Sequence, residues 1–251
     1  MRRYTSPEEH AFFPEELPDR CLDALPDLDY PTDLLSTVGG ASSINFNEVL
    51  LQKYISWILP IMAQPGDDEQ HGSSVCCDIA VLQALSRRVH YGKFVAESKY
   101  RSDPDNYQRL VYANDAEGVM ALLTNLPVEK KVLQRARLKA ATYGREPLLS
   151  SLPESLSKCD DMASIVAASA ASAAAAAVDA YQNMDKQGSK INPTVIESIY
   201  RDFIIPLTKD IEVAYLFLRC GKQPPPQYAS NRMSIDKCIL SPEEEEQQQK
   251  P

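Results

Sequence analysis

No apolar run in these 251 residues approaches the ~20 needed to cross a bilayer, so a membrane-spanning protein is not expected. No apolar leader is expected either, since Met1-Arg2-Arg3 runs straight into polar, proline-containing sequence. Basic residues are in deficit, 26 Lys and Arg against 35 Asp and Glu, for a net charge of −9. Nucleic-acid binders normally carry a basic excess, so that class is set aside. An acidic chain that handles a small anion must instead gather its cations in one place. The six cysteines (Cys21, Cys76, Cys77, Cys159, Cys220, Cys238) share no repeated spacing. His71 lies near the adjacent Cys76 and Cys77, but no second pair completes a tetrahedral ligand set, and no metal is expected. A reduced, intracellular setting follows, with the cytosol as the expected location. Alternation of the β type is missing along the whole length, which leaves an all-α chain.

What is present is helical. Residues 1–43 read as loop, with five prolines and the Gly39-Gly40 pair. Phe46, Leu50, Trp57, Ile58 and Ile61 then recur at helical spacing, and Pro60 and Pro65 are expected to close that helix. Val75, Ile79, Leu82, Leu85 and Val89 form the strongest stripe, capped by Ser73 or Ser74 and running to about Tyr100. Shorter helices are expected at 105–113 and 115–124, another at 128–143, and a last long one from Pro193 to Arg219, bent by Pro206. Residues 145–190 read as an Ala/Ser-rich insertion that lacks large side chains to bury. From Gly221 to Pro251 the triple proline, the Glu243–Glu246 run and three glutamines read as a disordered tail.

Three of these helices carry polar residues on shared faces. Arg88 and Lys99 are eleven apart, about three turns, with Cα atoms roughly 16 Å apart along the axis. Two such cations could clasp a compact dianion. Asn125 and Glu129 are four apart on another helix, and Thr208 and Glu212 repeat that spacing on the last. Charged residues on helices are most often solvated, so spacing alone does not identify a site. Gly92 costs about 1 kcal/mol against alanine within its helix, a hint of close packing there.

The segment from Gly72 to Lys99 ends in LSRRVHYGKFVAESK, which resembles the signature helix of eukaryotic chorismate mutases. RRYTSPEEHAFFPEELP (2–18), TNLPVEKKVLQRARLKAATYG (124–144) and IIPLTKDIEVAYL (204–216) are similar to further segments of that family, in the same order. The resemblance covers about residues 2–144 and 191–219. It implies a homodimeric helical bundle, one chorismate mutase domain over 1–220, and a pericyclic isomerisation of chorismate to prephenate. This is the shikimate-pathway branch step toward phenylalanine and tyrosine, and it needs no cofactor. By resemblance Arg88 grips a substrate carboxylate, and Lys99 and a protonated Glu212 donate to the ether oxygen. Glu129 engages the ring hydroxyl, while Asn125 and Thr208 orient the substrate. Arg2, Arg3, Gly72, Ser73 and Cys76 fall on an allosteric site for tryptophan or tyrosine between subunits.

The family begins with a helix ahead of the Arg-Arg pair that supplies a further active-site arginine. Met1 stands directly before Arg2 here, so that helix is expected to be missing. The alternative to an active enzyme is a catalytically impaired homologue that keeps effector binding. A plastid location is the alternative to the cytosol, since a transit peptide would precede such a helix.

Overall fold

The computed structural model describes residues 8–13, 33–67, 69–143 and 191–229, with three isolated positions at 170, 171 and 174. Arg2, Arg3, nearly all of the 145–190 insertion and the tail beyond 229 lie outside the described residues. Every regular element among the described residues is helical, and none of those helices is long and apolar enough to cross a membrane. The chain divides into two compact units, one from Met1–Thr124 with Ile204–Pro251 and one from Asn125–Phe203.

The first unit is built around its last long helix. In chain order it contains a 3-10 segment Val38–Ser43, α1 (Asn47–Lys53), α2 (Leu59–Met62), α3 (His71–His90), α4 (Gly92–Ser102), α5 (Pro104–Tyr112) and α6 (Ala116–Leu123). The second unit contributes α7 (Leu126–Tyr143) and α8 (Pro193–Ile199), and the first resumes with α9 (Ile205–Arg219). Leu207, Ile211, Val213, Ala214, Tyr215, Leu216 and Phe217 are all buried. A helix apolar on nearly every side must be surrounded, and α3, α4, α5, α6 and the 3-10 segment pack around α9. Its end is a Schellman turn: Gly221 N–H donates to Leu218 O and Lys222 N–H to Phe217 O, with Gly221 at φ +73°. The first residues of the expected tail are therefore placed. Lys222 Nζ donates to Tyr112 O at 3.0 Å, and Pro226–Tyr228 forms a 3-10 turn against α9.

Two prolines behave differently from the sequence expectation. Pro60 does not end its helix, which continues to Met62. A π-helical turn, Tyr54–Ile58, comes just before it, and Leu59 N–H donates five residues back to Tyr54 O. The wider turn relieves the clash between a proline ring and the carbonyl four residues earlier. The same device recurs at Tyr200–Ile204 ahead of Pro206, so the helical run from Pro193 to Arg219 consists of α8, a π turn and α9.

The long stripe is also refined. Its helix starts at His71, so Ser73 and Ser74 sit in the first turn rather than at the cap, where Gln70 stands without a side-chain cap bond. It is interrupted once, at Tyr91, between α3 and α4. Leu82 and Val89 are buried, but Val75 and Ile79 are 54% and 45% exposed. In the second unit α7 packs on α8, with Ala136, Ala141 and Ile199 buried and Arg137 paired with Glu197 at 3.4 Å.

Candidate active site

The site starts from the glycine that lets two helices touch. A Cβ on Gly92 would stand 2.9 Å from Thr208 O and 3.1 Å from Thr208 Cγ2, so α4 meets α9 there at a distance only glycine allows. The cost of a glycine inside a helix is offset by this close approach. Thr208 turns its hydroxyl back on its own helix, donating to Ile204 O at 2.6 Å, and so offers only lone pairs outward.

One turn further along α9 lies Glu212, 5% exposed. Lys99, two turns along α4 from Gly92, reaches it: Nζ donates to Glu212 Oε2 at 3.2 Å and to Leu123 O, the last residue of α6, at 2.7 Å. Two of its three N–H groups are thus fixed by protein, leaving one uncommitted among the described residues. Arg88 on α3 is half-buried, with no hydrogen-bond or ion-pair partner among the described residues. A guanidinium left in that state is suited to receive an anion.

Asn125 and Glu129 belong to the second unit, where they stand at the start of α7. Asn125 Oδ1 accepts from Val128 N–H at 3.2 Å and Asn125 O from Glu129 N–H at 3.0 Å. The side chain of Asn125 therefore caps α7 with its oxygen, and its amide hydrogens have no partner among the described residues. Gly72, Ser73 and Cys76 are exposed in the first turns of α3, whose free amides suit a carboxylate.

Three groups escaped the sequence reading. Tyr107 of α5 is 3% exposed, and burial first, then the charge of Glu212, holds its phenol above the usual range. Glu97 of α4 is 3% exposed and bound by Arg101, Arg219 and Tyr215. Burial works to raise its carboxyl, but these hydrogen bonds prevail and lower it to about 2. Lys93 is wholly buried, donates to Ser42 O and Ile44 O, and contacts His10 Nε2 at 3.1 Å. Burial lowers its ammonium to about 7, against the field of Glu8. Charged residues on helices read as surface, which is why spacing alone passed over Lys93 and Glu97.

Comparison with known proteins identifies the family. The profile of the family described as chorismate mutase type II matches residues 72–213. Chorismate mutase 1, chloroplastic, of Petunia hybrida is 36% identical over 217 residues, which are 86% of this chain and 56% of that protein. Chorismate mutase of Trichoderma parareesei is 38% identical over 226 residues, 87% of this chain and 70% of that one. Among solved structures, the Aro7p chorismate mutase of Candida albicans in complex with L-Trp superposes with a TM-score of 0.65 at 35% identity, covering 88% of this chain and 69% of that chain. AtCM1 with tyrosine bound in its allosteric site gives 0.62 at 33% identity, covering 86% and 69%. The matched region carries Arg88, Lys99, Asn125, Glu129, Thr208 and Glu212 together, on the all-helical scaffold those structures share, and the chain belongs to the chorismate mutase type II family.

Proposed function

We propose that this chain catalyses the rearrangement of chorismate to prephenate. The observation that carries the reading is the Lys99–Glu212 contact, made across 113 residues of sequence at the α4–α9 crossing. In this reaction an ether C–O bond breaks as a C–C bond forms within one molecule. No nucleophile is required. The protein must hold the dicarboxylate in its compact form and stabilise charge on the departing oxygen.

The residues divide that work. Arg88 takes a carboxylate through its planar fork. Lys99, anchored by Leu123 O and Glu212, aims its remaining N–H at the ether oxygen. Glu212, when protonated, donates to the same oxygen. Glu129 engages the ring hydroxyl, Asn125 donates through its amide, and Thr208 accepts. The active protein is a homodimer in the cytosol. The amides of Gly72 and Ser73 at the start of α3, beside Cys76 and with Arg2 and Arg3 of the N-terminal arm, bind tryptophan or tyrosine. The ligands named for the Candida structure and for AtCM1 support that choice of effector.

The test is loss of chorismate absorbance with purified protein. It is run on this chain and on the chain preceded by an arginine-bearing amphipathic helix, because the chain spans 56% of the Petunia relative. Turnover in either form is the expected result. Turnover in neither, from folded protein, overturns the reading in favour of a binding homologue, which calorimetry with tryptophan and tyrosine would then register.

A further inference from the structure

Thr208, Glu212, Tyr215 and Arg219 follow one another along α9 at intervals of four, three and four, a single stripe. α4 meets this stripe at three places. Gly92 touches Thr208, Lys99 touches Glu212, and Glu97 takes Tyr215 and Arg219. The third contact is by far the most directional. Arg219 Nε donates to Glu97 Oε2 at 2.6 Å and its Nη2 to Oε1 at 3.1 Å, forming a two-pronged fork. Tyr215 Oη donates to Oε2 at 2.7 Å while accepting from Ser36 N–H, and Arg101 Nε donates to Oε1 at 2.8 Å. The Arg219 guanidinium also lies 3.6 Å from the centre of the Tyr100 ring.

The hydrogen bonds on this buried carboxylate outweigh its desolvation and keep it charged, and their directionality specifies geometry. Lys99 cannot set that geometry for itself. Its side chain is 33% exposed and ends in a flexible stem with a point charge. A slip of one residue along α9 would shift the stripe by about 1.5 Å and turn it by about 100°. Such a slip breaks the Glu97 fork at once, whereas the long Lys99 side chain could follow Glu212.

We propose that Glu97 is a positioning residue: its fork on Arg219 and Tyr215 locks the register of α4 against α9, and through it the place of the Lys99 ammonium against Glu212. The proposal rests on the chorismate mutase reading above. Arg88, on α3, lies outside this lock, so carboxylate binding and ether-oxygen stabilisation separate in the kinetics.

The experiment measures kcat and KM for chorismate, per folded molecule by circular dichroism at the assay temperature. The proteins are wild type, Glu97→Gln, Glu97→Asp, Arg219→Lys and Tyr215→Phe, in whichever form of the chain turns over chorismate. Glu97→Gln is expected to lose ~10- to 100-fold in kcat with KM changed less than about threefold, the signature of a misplaced group rather than lost binding. Glu97→Asp recovers part of that loss, and Arg219→Lys, which keeps the charge but not the fork, falls between. If Glu97→Gln does not fold, Arg219→Lys and Tyr215→Phe carry the same comparison. Wild-type kcat in the folded variants, or kcat and KM deteriorating together, overturns the positioning role while leaving the enzyme reading intact. A wild type that turns over no chorismate removes the reaction, and the positioning role with it.

Discussion

One methyl group at Gly92 would test how tightly α4 and α9 are joined. Alanine there meets Thr208 O at 2.9 Å, and backbone cannot swing aside as a side chain can. The expected result is a loss of about 1–3 kcal/mol in urea unfolding, despite alanine's better helix propensity, together with a drop in turnover. Unchanged stability would mean that α4 and α9 have slack. Under the proposed function, Lys99→Met probes the chemistry directly. Losing a donor aimed at the charge that develops in the transition state is expected to lower kcat by ~10²- to 10³-fold. Under the same reading, Arg88→Ala is expected instead to raise KM, because it removes the proposed carboxylate grip. At this scale the close packing at Gly92 could be read from its cost within a helix, whereas the roles of the polar residues came only through the resemblance. Spacing put Arg88 and Lys99 on one face, but it could not reveal that Lys99 reaches Glu212, 113 residues away. Nor could it separate these two cations from Lys93, which is buried for an unrelated reason.

That reason belongs to the junction of α3 and α4, where His90 and Lys93 flank the break at Tyr91. His90 Nε2 accepts from Phe46 N–H at 3.0 Å and Nδ1 faces Ser86 O at 2.7 Å, so the ring is neutral with its proton on Nδ1. Burial chiefly, with the charges of His10 and Lys93, lowers His90 from 6.5 to about 3, opposed by the Ser86 carbonyl. Between those two values the unfolded chain binds a proton that the folded chain does not, so stability rises with pH in that window. Lys93, lowered from 10.5 to about 7, has the same sign higher up, and Glu97, lowered from 4.5 to about 2, has it lower down. Acidification from pH 6.5 to 4 is therefore expected to cost ~1.4 kcal/mol per unit at His90. Urea unfolding across that range measures the slope, and His90→Gln, which cannot titrate, should flatten it. The same cluster holds the arm at 8–13, because Asn47 Nδ2 donates to His10 O and Ala11 O. Asn47→Ala is expected to speed hydrogen exchange in that arm; unchanged exchange would show that the His10–Lys93 contact and the Glu9–Arg87 ion pair at 3.5 Å suffice to hold it. The order and extent of most helices could be read from periodicity and breakers. The π turns before Pro60 and Pro206 could not, since a proline signals a stop and gives no sign of the wider turn that accommodates it.

Across the whole molecule the question is what covers the first half of α3. Leu82 and Val89 of its stripe are buried, yet Val75 and Ile79 are 54% and 45% exposed. Periodicity assigns all of these positions to one buried face, because it reports apolar character without saying which chain supplies the partner. Under the proposed function the effector binds between subunits at the start of this same helix, so a second copy of the chain lies against it. Wild-type protein should then sediment at twice the 27.9 kDa chain mass. Ile79→Glu places a charge on the apolar face without touching Arg88, Lys99 or Glu212, and the cost of burying it should shift the protein to monomer. If the two copies build the effector site together, that variant loses its response to tryptophan and tyrosine as it dissociates. A dimeric Ile79→Glu protein would move the subunit contact away from α3, and with it the effector site assigned to Gly72, Ser73 and Cys76.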